Sequence, residues 1–321
     1  MEPINPEVPA MSGGDMIACI GLGLMGRAMA ANLLKGGYVV RGFDLDPAAL
    51  ERLEHLGGEA ARHPAAAAAG AKFALIMVNH AAQVEEVLFG PQGIAAVLAA
   101  GAVVWIASTI RACDMQAFAG RLATHGPMMV DGPVSGGLTG AEAGTLTVIA
   151  GGSNAALAAV QGPMRACSDQ IYHVGDVGTG STIKMVNNLL AASHVVLAAE
   201  ALAFGVRAGA DPDQLIRVIM QSSGTSRMFE KRAPRMLAGD HVPHANVGTF
   251  LKDLDIALDT AQSLCFPTPM ADAARQAFKM AADAGQAKAS DTTLIKMYER
   301  LGGIDVASVA GETICRHSNK N

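Results

Sequence analysis

In the first half of the chain, apolar residues fall into short, β-branched runs separated by stretches whose apolar positions recur at helical spacing. Met16–Ile20, Tyr38–Phe43, Phe73–Val78, Val103–Ile106 and Met128–Val130 read as strands, with Thr145–Ala150 and Gln170–His173 as the last two. Helices are expected over about 25–34, 47–56, 81–88, 93–100, 111–124 and 154–165. Pro47 stands at a helix start, where its fixed φ and missing N–H do no harm. Such strand–helix alternation implies a mostly parallel sheet with helices on both faces.

The pattern changes after about Gly175. From Thr179 to Arg207 a single helical pattern runs without interruption, rich in Ala, Leu and Val, with Lys184, Glu200 and Arg207 its only formal charges. At 1.5 Å per residue it is about 40 Å long, enough to lead from one domain into another. Ile183, Val186, Leu189 and Leu190 are expected to supply its packed faces. Further helices follow at about 212–221, 226–237, 247–264, 268–284 and 291–300, with no convincing strand. The reading is therefore an α/β Rossmann-type N-terminal domain over 14–176, an all-α substrate and dimerisation domain over 177–303 joined by the long helix, and a tail over 304–321.

Composition narrows the function. The chain has 321 residues, half of them hydrophobic and 17% charged, which describes a well-buried globule. Lys+Arg 24 against Asp+Glu 29 gives −5, and only 4% of residues are aromatic. Neither figure suits a nucleic-acid partner. The five cysteines (Cys19, Cys113, Cys167, Cys265 and Cys315) are scattered without a CxxC pair. That pattern fits a reducing, cytoplasmic setting without a thiolate metal site. The first 13 residues carry three prolines and no apolar core, unlike a signal peptide. The uncharged stretch 91–110 is broken by Gly93 and Gly101, and the long helix is polar around 184–188, so neither is read as a membrane span. His241 and His244 flank a proline with no third ligand in view, so no metal is expected.

Gly21-Leu22-Gly23-Leu24-Met25-Gly26 is G-x-G-x-x-G, placed directly after a strand and opening a helix. Gly21 permits the tight turn, Gly23 lets the backbone approach a pyrophosphate, and Gly26 lets helix and strand pack closely. The helix N-terminus favours an anion. Asp44 ends the second strand, where an acid accepts hydrogen bonds from ribose hydroxyls and repels a 2′-phosphate, so NAD is expected over NADP. Asp44 capping the next helix remains the alternative.

Two further segments carry candidate chemistry. Ser135-Gly136-Gly137, in the run from Asp131, offers a hydroxyl and exposed N–H groups suited to a substrate carboxylate, although an ordinary turn reads the same way. Gly178-Thr179-Gly180-Ser181-Thr182-Ile183-Lys184 opens the long helix, and Lys184 and Asn188 share one face a turn apart. A lysine on an apolar helix is costly to bury unless paired or used, and burial favours its neutral form. A snorkelling lysine is the alternative.

Taken together, GLGLMG (21–26), DGPVSGG (131–137), GxGxxxKxxNN (178–188) and Phe250-Leu251-Lys252-Asp253-Leu254 resemble the β-hydroxyacid dehydrogenases related to 3-hydroxyisobutyrate dehydrogenase. The four blocks occur in order over nearly the whole chain. The resemblance implies a Rossmann-type half joined to an all-helical half, with Lys184 as general acid/base and Asn188 holding the substrate. It implies that Ser135, Gly136 and Gly137 bind the substrate carboxylate. Residues 21–26, Asp44, Val78, Asn79, Thr109 and Lys252 would serve the cofactor, with Asp253 supporting helix packing beside Lys252. Ala107 stands where many relatives carry a polar residue, and Gly132 replaces the usual Ala. The segment Ser222–Arg232 is similar to the L-threonate dehydrogenase branch, although Arg227 stands where an aromatic is expected. Its hydroxyl and guanidinium groups suit the extra hydroxyls of a four-carbon sugar acid, with Arg227 as a substrate-binding candidate.

The activity so implied is NAD-dependent oxidation of a small hydroxy acid, L-threonate first. The alternatives are 3-hydroxyisobutyrate oxidation and tartronate semialdehyde reduction. Imine reductases and catalytically silent nucleotide-binding scaffolds share the architecture with the lysine replaced, and Lys184 argues against both. The apolar helical half predicts a homodimer or homotetramer.

Overall fold

The computed structural model describes residues 14–243 and 245–307. The chain forms two compact units that meet in sequence between Met185 and Val186. The first is built on nine strands: β1 (Met16–Ile20), β2 (Val39–Phe43), β3 (Glu59–Ala60), β4 (Phe73–Ile76), β5 (Val103–Ile106), β6 (Met128–Asp131), β7 (Val134–Ser135), β8 (Leu146–Gly151) and β9 (Ser168–Gly175). Their order is β3-β2-β1-β4-β5-β6-β8-β7, with β9 paired to β8. The six strands β3 to β6 are parallel, whereas β8 runs antiparallel to β6 and β7. The order reverses between β1 and β4, and the crevice beyond the strand ends at such a switch point is where open α/β sheets take ligands.

Successive side chains of a strand point to opposite faces, and because the central strands are apolar throughout, the sheet is buried on both faces. Ile17, Cys19, Val103 and Trp105 face one core, shared with Met29 and Leu33 of α1 (Leu24–Lys35). Ala18, Ile20, Val104 and Ile106 face the other core. The remaining helices of this unit are α2 (Pro47–His55), α3 (Pro64–Ala68), α4 (Ala81–Phe89), α5 (Ala112–Ala123), α6 (Gly137–Ala143) and α7 (Asn154–Cys167). Val84 and Leu88 of α4 and Met115 and Leu122 of α5 pack into the second of those cores. Leu157, Val160 and Met164 of α7 pack into the first.

Two expectations need correction. Residues 93–100 form turns, not a helix; Ile94 N–H and Ala95 N–H bond back to the Val87 and Leu88 carbonyls, folding the segment onto α4. A Cβ at Gly93 would lie 2.6 Å from the Leu88 carbonyl oxygen, so the close return depends on glycine. Pro64 begins α3, and the His63 ring caps it by accepting from Ala66 N–H. The Ser-Gly-Gly segment is part strand and part helix: Ser135 closes β7 and Gly137 opens α6.

The long helix α8 (Thr179–Arg207) has the bounds that the sequence pattern gives. In the second unit it is followed by α9 (Pro212–Met220), α10 (Arg227–Leu237), α11 (Val247–Ser263), α12 (Pro269–Ala281) and α13 (Leu294–Gly302). Val195, Ala199 and Leu202 of α8 pack with Phe250 and Leu254 of α11, Phe278 of α12 and Leu294 of α13. Phe250 and Phe278 stack with centroids 5.2 Å apart. The helix expected over 268–284 ends sooner because Gly285, at φ +82°, lies in the π-helical turn that follows it. Part of the expected tail is core: Val306 is fully buried and its N–H donates to Glu299 Oε1 at 2.9 Å. Residues 308–321, Cys315 among them, lie outside the described residues, as do residues 1–13 and His244.

The packed faces expected around Lys184 are also corrected. Ile183, Val186 and Leu190 are exposed, and Leu189 is half-buried. Leu197 and Phe204 continue the exposed row, so one narrow stripe of α8 is apolar and open along about six turns.

Candidate active site

The glycine turn follows β1 directly and begins α1 at the switch point. Gly21 has φ +89°, and a Cβ there would lie 2.3 Å from the Met77 carbonyl oxygen at the end of β4. A Cβ on Gly26 would lie 1.9 Å from the Gly21 carbonyl oxygen. Both glycines are therefore required by backbone approach. Gly23 differs, because nothing lies within 4 Å of where its Cβ would be. It occupies the N-cap of α1, and no side chain caps that end. The N–H groups of the first turn, at Leu24 and Met25, lie beside this open position, and an anion such as a pyrophosphate suits them.

Asp44 braces the turn. Its Oδ2 accepts from Leu22 N–H at 2.6 Å and its Oδ1 from Asp46 N–H at 2.9 Å. The cap on α2 comes from Asp46, which accepts from Ala48 N–H, so Asp44 is not spent as a helix cap. Each carboxylate oxygen retains a lone pair for a ribose hydroxyl. Arg41 is held away by Glu59 at 3.0 Å and by the Ala69 carbonyl at 3.2 Å. The end of β2 therefore remains acidic, which fits NAD. Beyond β4, Val78 N–H donates to Ser108 Oγ at 2.9 Å, tying the β4 loop to the one that carries half-buried Thr109. Asn79 is exposed, and its N–H is held by Gln83 Oε1 at 2.9 Å.

Asp131 organises the candidate chemistry of the first unit. It ends β6 with its side chain fully buried. Oδ2 accepts from Gly178 N–H at 2.9 Å and Ser181 N–H at 2.8 Å, and Oδ1 accepts from Ser181 Oγ–H at 2.7 Å. Burial raises its pKa above the usual carboxylate value, and these hydrogen bonds oppose the rise. Lys184, also buried, follows three residues after Ser181 on α8. In the other direction along the chain, Asp131 leads into half-buried Ser135 and exposed Gly136 and Gly137, whose φ values are +136° and +66°. These positive φ values explain the paired glycines.

Gly132 has its own cause. Trp105 Nε1–H donates to the Gly132 carbonyl at 2.7 Å, and a Cβ on Gly132 would lie 2.5 Å from that nitrogen. The departure to glycine therefore accompanies the buried indole.

In the second unit, Asn188 is buried and its Nδ2 donates to Asp253 Oδ2 at 2.7 Å, while its Oδ1 accepts from Asn187 Nδ2 at 3.0 Å. Lys252 Nζ lies 2.9 Å from Asp253 Oδ1. Asp253 thus ties both residues together. Part of the expected polyol-binding segment is already engaged. Ser226 Oγ caps α10 by accepting from Phe229 N–H, Ser222 Oγ–H donates to the Val218 carbonyl, and Arg232 pairs with buried Asp291 at 2.6 Å. Arg227 remains exposed at the start of α10.

Asp131 and Ser181 were missed as functional candidates, and Asp253 was read only as packing. The signal was available in each acid's setting. Asp131 ends an apolar strand, and Asp253 lies three residues after Phe250 and four before Ala257 on the buried side of α11, where an acid must find donors. His241 Nδ1 lies 2.9 Å from Thr292 Oγ1, and among the described residues no group of three metal-ligating side chains occurs.

Residues 16–175 match the family model of the NAD-binding domain of 6-phosphogluconate dehydrogenase. Residues 178–298 match that of the NAD-binding domain of NADP-dependent 3-hydroxyisobutyrate dehydrogenase. The chain is 40% identical to an L-threonate dehydrogenase of Cupriavidus necator, over 88% of this chain and 95% of that one. It is 34% identical to an NAD-dependent L-serine dehydrogenase of Pseudomonas aeruginosa, over 89% and 99%. A crystal structure of 3-hydroxyisobutyrate dehydrogenase from Salmonella typhimurium superposes with a TM-score of 0.80 at 38% identity, covering 88% of this chain and 99% of that one.

Proposed function

The chain belongs to the NAD-dependent β-hydroxyacid dehydrogenases of the 3-hydroxyisobutyrate dehydrogenase family, and from that premise we propose that it oxidises L-threonate, with Lys184 as its general base. The observation that carries this reading is the link through Asp131, which leads into the Ser135–Gly137 segment and holds the start of the helix bearing Lys184.

The Ser135 hydroxyl and the N–H groups of Gly136 and Gly137 bind the substrate carboxylate. The neighbouring carbon carries the hydroxyl that is oxidised. Neutral Lys184 takes the hydroxyl proton as the carbonyl forms; in the reverse direction its ammonium returns that proton and stabilises the alkoxide charge. NAD, when bound, supplies the hydride acceptor. Asn188 holds the substrate, and its amide is oriented by Asp253, which as a carboxylate can only accept. Arg227 is assigned to the hydroxyl-bearing end of the substrate and Lys252 to the cofactor. The Gly21–Gly26 turn, Asp44, Val78, Asn79 and Thr109 complete the cofactor contacts, and Asp44 favours NAD over NADP.

Initial rates of NADH formation test the substrate. The panel is L-threonate, D-threonate, D-erythronate, 3-hydroxyisobutyrate and glycerate, each with NAD and NADP. L-threonate with NAD is expected to give the highest kcat/KM; a preference for 3-hydroxyisobutyrate would overturn the substrate assignment. That second reading is favoured by one observation: the Ser222 and Ser226 hydroxyls are already engaged with backbone.

The exposed apolar stripe of α8 supports a homo-oligomer, a dimer or tetramer. A cytoplasmic enzyme without nucleic-acid or membrane partners fits the composition and the buried face that α8 contributes to the second core.

A further inference from the structure

We propose that Asp131 is a positioning residue for Lys184, fixing the lysine by anchoring the first turn of α8 to the tip of β6. This rests on the reading of Lys184 as the general base. Gly178, with φ +99°, precedes Thr179 and has no side chain to offer as a cap, and the local acceptor at this end is the Asp176 carbonyl, which takes Thr179 N–H at 3.1 Å. The left-handed backbone there, with a would-be Cβ 2.9 Å from Gln116 Nε2, excludes a serine, threonine or aspartate that could cap the helix locally. The side-chain acceptor comes instead from 47 residues upstream, on the sheet. A local cap would stabilise the helix without specifying where it stands. A cap on β6 ties the helix to the strand that leads into Ser135–Gly137.

The fit around this anchor is close. A Cβ on Gly180 would lie 2.4 Å from the Ile149 carbonyl oxygen and 2.6 Å from that of Asp131. A Cβ on Gly151 would lie 2.5 Å from the Asp176 carbonyl oxygen. Backbone thus meets backbone where α8 begins. All three hydrogen bonds of the carboxylate converge on Gly178 and Ser181, within two turns of Lys184. A buried carboxylate is costly to desolvate, and three hydrogen bonds offset that cost while fixing both its oxygens.

The test is a double-mutant cycle on kcat for hydroxy-acid oxidation, with Asp131→Ala in wild-type and Lys184→Ala backgrounds, the latter assayed with a fixed concentration of propylamine as the base. In the wild-type background Asp131→Ala is expected to lower kcat by about 10- to 100-fold, the loss that a small misplacement of a reacting group brings. The KM for NAD should stay unchanged. In the Lys184→Ala background the same substitution is expected to cause no further fall, because no lysine is left to position. Equal losses in both backgrounds would overturn the proposal, since Asp131 would then act on the fold as a whole. A Lys184→Ala enzyme as active as wild type without amine would overturn the general-base reading as well, which separates the two failures. Asp131→Asn provides the rescue: its Oδ1 can accept from both N–H groups while its amide donates to Ser181 Oγ. It should keep most of the wild-type kcat. Should Asp131→Ala not fold, Ser181→Ala, which removes one of the three bonds, enters the same cycle with a smaller expected loss.

Discussion

At Gly132 the buried indole of Trp105 leaves no space for a methyl group, so Gly132→Ala is expected to lower stability by about 1–3 kcal/mol, measured by urea denaturation. Asp131 allows a sharper test. Its folded-state pKa is raised by burial, so its contribution to stability is fully present below the ordinary carboxylate range and is lost as pH rises through the raised value. Asp131→Asn carries no such charge. The stability of that variant relative to wild type should therefore rise between pH 4 and pH 7, and a flat difference across that range would contradict the account. Thiols give a third check. Burial pushes Cys19 upward and Cys167 up to about 12, whereas Cys113 and Cys265 are exposed. Among these four, iodoacetamide at pH 8 should label Cys113 and Cys265 and spare the other two, as read by peptide mass spectrometry. Spacing alone left Lys184 and Ser135–Gly137 open to an ordinary reading, and only the ordered set of four motifs singled them out as candidates. The crowding at Gly132 was not legible, because Trp105 and Gly132 lie 27 residues apart and only the β5–β6 pairing brings them together.

The glycine turn shows, at the scale of an element, how one motif divides between folding and binding. Gly23→Ala meets open space, so the variant should fold with unchanged stability and bind NAD more weakly. Gly26→Ala meets the Gly21 carbonyl and should destabilise the β1–α1 unit itself. Thermal melting together with NADH fluorescence titration separates the two effects. Strand and helix assignments were legible here because β1 is a short continuous apolar run that ends at the glycine turn, whereas the apolar positions of α1 recur at helical spacing. The turns after α4 were not legible. Residues 93–100 carry a helix-compatible composition, and what decides their path is tertiary hydrogen bonding to Val87 and Leu88. The two-residue strands β3 and β7 leave no periodicity to read, since pairing with β2 and β8 alone defines them.

For the whole molecule, the bounds of α8 could be read from the sequence but its exposure could not. An apolar position on a helix predicts burial without stating against what. Here Ile183, Val186, Leu190, Leu197 and Phe204 remain open. Leu197→Glu combined with Phe204→Glu is expected to shift the protein to a smaller species in sedimentation velocity while leaving the second core folded. An unchanged sedimentation coefficient would contradict the proposed role of this stripe in self-association. The central claim is that this Rossmann-type dehydrogenase works through a lysine base, and it is tested most directly by Lys184→Ala. NADH formation from L-threonate should be compared with that of wild type at saturating NAD, with cofactor binding titrated in parallel. The account predicts a fall in kcat of about 10²- to 10⁴-fold with NAD binding intact. Equal rates at equal NAD occupancy would contradict it.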